Sequence, residues 1–166
     1  MKSINIKKII INTTIVLLIF FLDRITKNYI INLSEIQNTV DIYLTSYLNL
    51  YLVWNKGIAF GLFSSEQNLF YNFVTILIIF LIIIIFLMIL KSNNMNIYFL
   101  LFILGGASGN LFDRIYYSAV PDFIDFHFNN IHWFIFNVAD IFISFGIICL
   151  IFVEIFFNKK VNDEPE

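Results

Sequence analysis

Two aspartates in this chain have the residue type and setting for general acid–base work. Asp140 follows Asn137-Val138-Ala139 and opens the apolar run 141–153. A carboxylate beside hydrocarbon costs several kcal/mol, so such a residue usually faces a polar cavity and carries function. Asp122 stands 18 positions earlier, in Val120-Pro121-Asp122-Phe123, within the polar segment that leads into the same run. When two carboxylates share a site, desolvation and like-charge repulsion raise one apparent pKa. One group then stays protonated while the other is ionised. The ionised group takes a proton from water as it attacks an amide carbonyl, and the protonated group donates to the developing oxyanion. This chemistry requires no metal and no nucleophilic side chain. Asp125, three residues after Asp122, is a rival partner. No His–Glu pair stands at zinc-ligand spacing, Ser108 and Ser144 have no evident His base, and His127 and His132 read as interfacial loop residues.

Other polar residues gather into short groups. Asn137 and Asp140 are three apart, so both can line one helical face. Asn110, Asp113 and Arg114 share a face at the end of another helix by the same spacing. Arg114 is permanently charged and offers a planar fork of donors. It can pair with Asp113 or Asp23, or bind a carbonyl or a lipid phosphate. Asp23, Arg24 and Lys27 form a third group. The small residues Gly105-Gly106-Ala107-Ser108-Gly109 allow close helix packing in lipid. Gly57 and Gly61, after Asn55-Lys56, permit a tight turn or a close backbone approach.

The elements that must position these groups follow from composition. The chain has 166 residues, 60% hydrophobic and only 13% charged, with mean hydropathy +0.85. Soluble domains are about half apolar and about a quarter charged. The reading is one integral membrane domain over residues 1–166. A net charge of −2 without a basic patch offers nothing to nucleic acid, and the single Cys149 cannot form an internal disulfide. A helix needs about 20 apolar residues to cross the hydrocarbon core. Four segments qualify, at 9–30, 69–90, 94–112 and 133–157. The first lacks a small-x-small cleavage pattern and reads as a retained helix. The expected fold is an all-α membrane protein with four transmembrane helices and outer segments 32–68 and 115–132. Aromatic and β-branched residues from Tyr47 to Trp54 suggest a strand or two within the first outer segment.

Charge orients the bundle. Lys2, Lys7 and Lys8, then Lys91, then Lys159 and Lys160 fall on one side of four spans. By the positive-inside rule that side is cytoplasmic, as are both termini. Arg24, Lys27, Lys56 and Arg114 lie toward the outer face, against the rule. The polar chemistry therefore converges at one membrane level.

At this point the residues resemble the lipoprotein signal peptidase family, also called signal peptidase II. The likeness rests on five motifs in order: Asp23 with Lys27; Asn55-Lys56-Gly57-Ile58-Ala59-Phe60; Gly105-Gly106-Ala107-Ser108-Gly109-Asn110-Leu111-Phe112-Asp113-Arg114; Val120-Pro121-Asp122-Phe123; and Phe136-Asn137-Val138-Ala139-Asp140. The resemblance implies an aspartic endopeptidase of the bacterial plasma (inner) membrane. Its substrates would be diacylglyceryl-modified prolipoproteins, cut just before the lipidated cysteine, at the outer, periplasmic face. It implies Asp122 and Asp140 as the catalytic pair. Asn55, Asn110, Arg114 and Asn137 would bind substrate or order the dyad. Asp23, Lys27, Gly57, Gly109 and Asp113 would give structural support. No cofactor or metal is expected. Membrane lipids are the other partners, and the protein is expected to be a monomer. The family also has a small outer β-element and a periplasmic helix. Pro121 departs from the family's usual Val, Phe134-Ile135 lacks a proline often found there, and Ile141 replaces a small polar residue. A proton- or ion-coupled transporter using Asp140 is the alternative, and a non-catalytic scaffold is a third reading. A relay would want titratable groups through the bilayer depth, whereas the second span carries no charge.

Overall fold

The long apolar runs become helices because nothing in them breaks the 3.6-residue repeat. The computed structural model describes residues 6–57, 67–92, 96–128 and 131–158. Helices α1 (Ile6–Gln37), α2 (Gln67–Lys91), α3 (Asn96–Tyr117) and α4 (Val138–Val153) account for most of them, and a π-helical turn, Glu154–Asn158, extends α4. Short polar residues end two helices. Asn38 (φ 64°) follows α1 and Ser118 (φ 54°) follows α3, both in the left-handed region that stops a helix.

Among the described residues, three helical stretches are long and apolar enough to cross a membrane: Ile6–Gln37, Leu69–Lys91 and Val138–Phe156. Along α2, Ile76, Ile83 and Leu90 are more than half exposed. A helix apolar on all sides and facing outward is stable only where the surroundings are themselves apolar. α3 differs in being the central helix, packed on α1, α2 and α4. Its glycines set the spacing. A Cβ on Gly106 would stand 2.5 Å from the Ala139 carbonyl oxygen of α4.

Between α1 and α2 lie strands β1 (Asp41–Thr45) and β2 (Leu48–Asn55), and between α3 and α4 lie β3 (Val120–Phe128) and β4 (Ile131–Phe136). They form one antiparallel sheet in the order β1-β2-β3-β4. The strand expected near Tyr47–Trp54 is therefore present, as a hairpin. The second outer segment corrects the sequence reading. Residues 120–128 and 131–136 are strands rather than a loop, and α4 begins at Val138, not near 133. The stretch Trp133–Phe136 is apolar and aromatic, which suits a strand as well as a helix. Pairing decides it, with Phe136 opposite Ile124 and Phe134 opposite Phe126. α1 likewise runs seven residues past the expected 30, to Gln37.

Pro121 is accommodated by the sheet's outline. It pairs with Trp54 of β2, whereas β4 joins β3 only from Ile124 onward. At Pro121 the strand has one neighbour, so a missing N–H costs little there. Lys2, Ile58-Ala59-Phe60, Gly61, Lys159 and Lys160 lie outside the described residues. The outer helix implied by the resemblance is not found among the described residues.

Candidate active site

Asn137 joins β4 to α4 and organises what surrounds it. Its backbone is extended (φ −127°, ψ 179°), and its side chain accepts from the Asp140 backbone N–H at 3.1 Å. Asp140 returns the bond, with Oδ2 accepting from the Asn137 N–H at 3.1 Å. This is a capping box, in which a helix start and its third residue satisfy each other's free N–H groups. The sequence reading places both residues on one helix face without the cap. The signal is nonetheless present, since Asn-x-x-Asp directly precedes an apolar run.

The Asn137 amide also donates to Asp122 Oδ1 at 2.6 Å. One buried asparagine thus holds both aspartates, one through its amide and one through its backbone. Each carboxylate gains a second donor from elsewhere. Asn55, at the end of β2, donates to Asp122 Oδ2 at 2.9 Å. Asn110, on α3, donates to Asp140 Oδ1 at 2.8 Å. All four carboxylate oxygens are therefore addressed by Asn side chains or by the α4 cap. Burial pushes the Asp122 carboxyl up to about 6, opposed by the Asn55 and Asn137 donors and reinforced by the nearby Asp140 charge.

Asn110 is itself oriented. Lys27 Nζ donates to its Oδ1 at 2.8 Å, so its NH2 must face Asp140. The other two Lys27 donors go to Asp23 Oδ2 at 2.9 Å and Asp113 Oδ2 at 2.7 Å. Lys27, Asp23 and Asp113 are fully buried. Arg24 completes the group, bonding Asp23 Oδ2 at 2.8 Å and both oxygens of Asp113. Two cations thus face two carboxylates, and the lysine's three donors are all used. The remaining Asp23 oxygen accepts the Ala139 N–H at 3.0 Å, which ties α1 to the first turn of α4. Arg24 is absent from the sequence-derived support set. Its position beside Asp23 is visible in the sequence, but its main partner, Asp113, is 89 residues away.

Arg114 pairs with neither Asp113 nor Asp23 among the described ion pairs. Its guanidinium lies 5.1 Å from the Tyr71 ring centroid, a cation–π contact. Nη1 is buried and has no hydrogen-bond partner among the described residues. Gly57 sits against this head, in the left-handed region at φ +75°, where a Cβ would approach Nη2 to 2.9 Å. The Asn55 side chain closes that turn by accepting the Gly57 N–H at 2.7 Å. Asp125, the rival partner, faces elsewhere. Its Oδ2 meets His132 Nδ1 at 2.7 Å. The two histidines are likewise strand residues of β3 and β4, not loop residues.

Gly109 lets the Asp23 carboxylate lie directly against α3. A Cβ there would lie 2.6 Å from Asp23 Oδ2, an atom already held by Arg24 and Lys27. Because that carboxylate cannot swing aside, Gly109→Ala should lower stability by about 1–3 kcal/mol, the usual cost of overpacking. Thermal unfolding of the purified protein in detergent measures it.

A model of the family described as signal peptidase (SPase) II matches residues 15–157. The chain belongs to the signal peptidase II family. Among curated relatives, the lipoprotein signal peptidase of Pelagibacter ubique (strain HTCC1062) is 56% identical over 164 residues, 99% of each chain. That of Anaplasma marginale (strain Florida) is 32% identical and covers 93% of this chain and 89% of its own length. A bacterial membrane enzyme solved by the in meso method at 1.9 Å resolution superposes with TM-score 0.70 at 25% identity, over 88% of this chain and 93% of that one. A second, at 2.3 Å resolution, has TM-score 0.66 at 23% identity and shares the fold. The capping box, the Asn bridges and the buried ion cluster thus belong to a signal peptidase II chain.

Proposed function

We propose that this chain is an aspartic endopeptidase of the bacterial inner membrane that removes signal peptides from diacylglyceryl-modified prolipoproteins, with Asp122 and Asp140 as the dyad. The observation that carries the reading is the shared Asn137, which binds both carboxylates at the start of an apolar helix. The relatives are named lipoprotein signal peptidases, which supports a lipoprotein substrate. The family lends no support to transport through Asp140. In this reading the chain is a single domain and a monomer that crosses the membrane four times with both termini inside. The dyad then lies at the outer face, among membrane lipids, with no cofactor.

Chemically, Asp140 acts as the base and Asp122 as the acid. The Asp140 charge helps keep the proton on Asp122. Asp140 takes a proton from water, whose oxygen bonds to the carbonyl carbon just before the lipidated cysteine. Asp122 gives its proton to the carbonyl oxygen. The resulting diol collapses as its hydroxyl proton returns to Asp122 and the proton on Asp140 passes to the leaving nitrogen. The C–N bond breaks, and both carboxyl groups end as they began. The unpaired Arg114 Nη1 is suited to a substrate carbonyl oxygen, and the Asn55 and Asn110 amides hold the two acids.

The test is a synthetic peptide bearing a diacylglyceryl cysteine, incubated with the purified protein in detergent and read by mass spectrometry. Cleavage on the amino side of that cysteine, absent from the unlipidated peptide, supports the reading. No cleavage by folded protein rejects it.

The acid–base assignment has a sign. Activity needs Asp122 protonated, so kcat/KM should fall as pH rises through about 6. The Asn55 donor favours the ionised carboxylate, and Asn55→Ala removes it. The falling limb should then move to higher pH. A falling limb that stays in place while the rising limb moves to higher pH would reverse the roles of the two aspartates.

A further inference from the structure

The sheet carries a second polar cluster that the dyad does not use. Beyond Asp122, β3 continues to Asp125 and His127, which are two apart and so share a face of the strand. Asp125 is 0% exposed and His127 8% exposed. Asn49 of β2 is the register partner of Asp125, and His132 of β4 is that of His127. These four side chains, with Asp41 and Tyr51, line an open cavity of about 670 Å³. Asp125 Oδ2 is taken by His132. Among the described residues, three buried atoms of these lining side chains have no hydrogen-bond partner: Asn49 Oδ1, Asp125 Oδ1 and His127 Nδ1. His127 Nδ1 lies 3.6 Å from Asp125 Oδ2, beyond hydrogen-bond reach.

Two of the three atoms, an amide oxygen and a carboxylate oxygen, can only accept, and His127 Nδ1 is a third acceptor in the tautomer that carries its ring proton on Nε2. Among the described residues, no Lys or Arg lines the cavity. Buried acceptors are rarely left without donors, so three in one place call for a ligand that donates. A primary ammonium carries three N–H groups, one for each of these acceptors, and a positive charge opposite in sign to the Asp41 and Asp125 carboxylates. Among the described residues no three His, Cys, Asp or Glu are placed to hold a metal ion. A quaternary ammonium has no N–H to offer. The neighbouring strand ends carry exposed apolar and aromatic side chains suited to a lipid surface. Tyr47 and Phe128 stack at 5.9 Å, and both are about half exposed, as are Ile131 and Trp133. Exposed Trp and Tyr belong at the level of lipid headgroups.

We propose that this cavity, lined by Asp41, Asn49, Asp125 and His127, binds the primary ammonium of an aminophospholipid headgroup such as phosphatidylethanolamine. The proposal does not depend on the peptidase reading, because its readout is lipid retention.

The full chain, purified in detergent, is mixed with equal amounts of phosphatidylethanolamine, phosphatidylcholine and phosphatidylglycerol of matched acyl chains, and bound lipid is counted by native mass spectrometry. Preferential retention of phosphatidylethanolamine is expected. Asp125→Asn should lower it about tenfold, the scale of one lost charged hydrogen bond. Asp41→Asn, at an exposed position of the edge strand, should lower it without endangering the fold. Equal retention of the ethanolamine and choline lipids overturns the proposal, as does native retention by both variants. Displacement of the lipid by equimolar soluble phosphoethanolamine would make the ligand a water-soluble amine and overturn the lipid source. Zinc binding that is lost in Asp125→Asn would overturn the ammonium itself.

Discussion

Asp140→Asn and Asp122→Asn should each lower kcat/KM for a lipidated prolipoprotein by roughly 10²–10⁴-fold, the usual contribution of a positioned acid or base. Both substitutions keep the side chain's shape. The amide in Asp140→Asn retains an oxygen for the Asn137 N–H, so α4 keeps its cap, and helix content by circular dichroism should be unchanged. The loss then reports chemistry rather than folding. Combining the two should cost little more than either alone, because groups that act as a unit are not additive. Asp125→Asn is the control and should cleave at close to the native rate, since its carboxylate faces His132. A full-rate Asp140→Asn enzyme would remove the dyad from consideration, and an Asp125→Asn enzyme as weak as Asp122→Asn would move the site along β3.

The second large effect concerns stability. Lys27→Met should destabilise the protein by about 3–5 kcal/mol, the cost of stranding a buried charge by removing its partner. Lys27 is one of two cations facing Asp23 and Asp113, and all three are fully buried. Without it, two carboxylates share Arg24 alone. Lys27→Arg is a harsh replacement as well, because a planar fork cannot send three donors to Asp23, Asn110 and Asp113 as an ammonium does. Thermal unfolding in detergent reads the loss, and a variant as stable as the native chain would show that the cluster is not carrying charge as drawn. Lys27→Met also releases the Asn110 amide, whose NH2 would no longer be compelled to face Asp140. Any activity remaining at low temperature should therefore fall as well.

What is legible in the sequence divides along a physical line. The helices are readable because long apolar runs leave few alternatives, and their order places Asp23, Asn110, Asp122 and Asp140 near one level. Contacts across the chain are not readable. Arg24 sits beside Asp23 in sequence, yet it serves mainly Asp113, and no local pattern announces a partner 89 residues distant. The strand Ile131–Phe136 reads as helix in part because an apolar aromatic run satisfies both periods, and only pairing with β3 decides between them. For Arg114 the sequence admits several partners. The structure gives Asp113 to two other cations and sets Arg114 over Tyr71 instead. Pro121 raises a question about the path of Asp122, and the sheet outline answers it.

The links between sheet and helices are very short. Two residues, Ser118 and Ala119, separate α3 from β3, and Asn137 alone separates β4 from α4. Such joints have no slack. A bilayer that is thicker or thinner than the helices prefer is met by tilting them. Here any such tilt would carry β3 and the start of α4 together. The two carboxylates would rise or sink in the membrane as a pair, without drawing apart. Membrane thickness would then act on which bond of an anchored chain reaches the acids, and hardly at all on the acids' spacing. With the proposed dyad, the enzyme would be a depth gauge, its cutting edge fixed to the same rods that measure the bilayer.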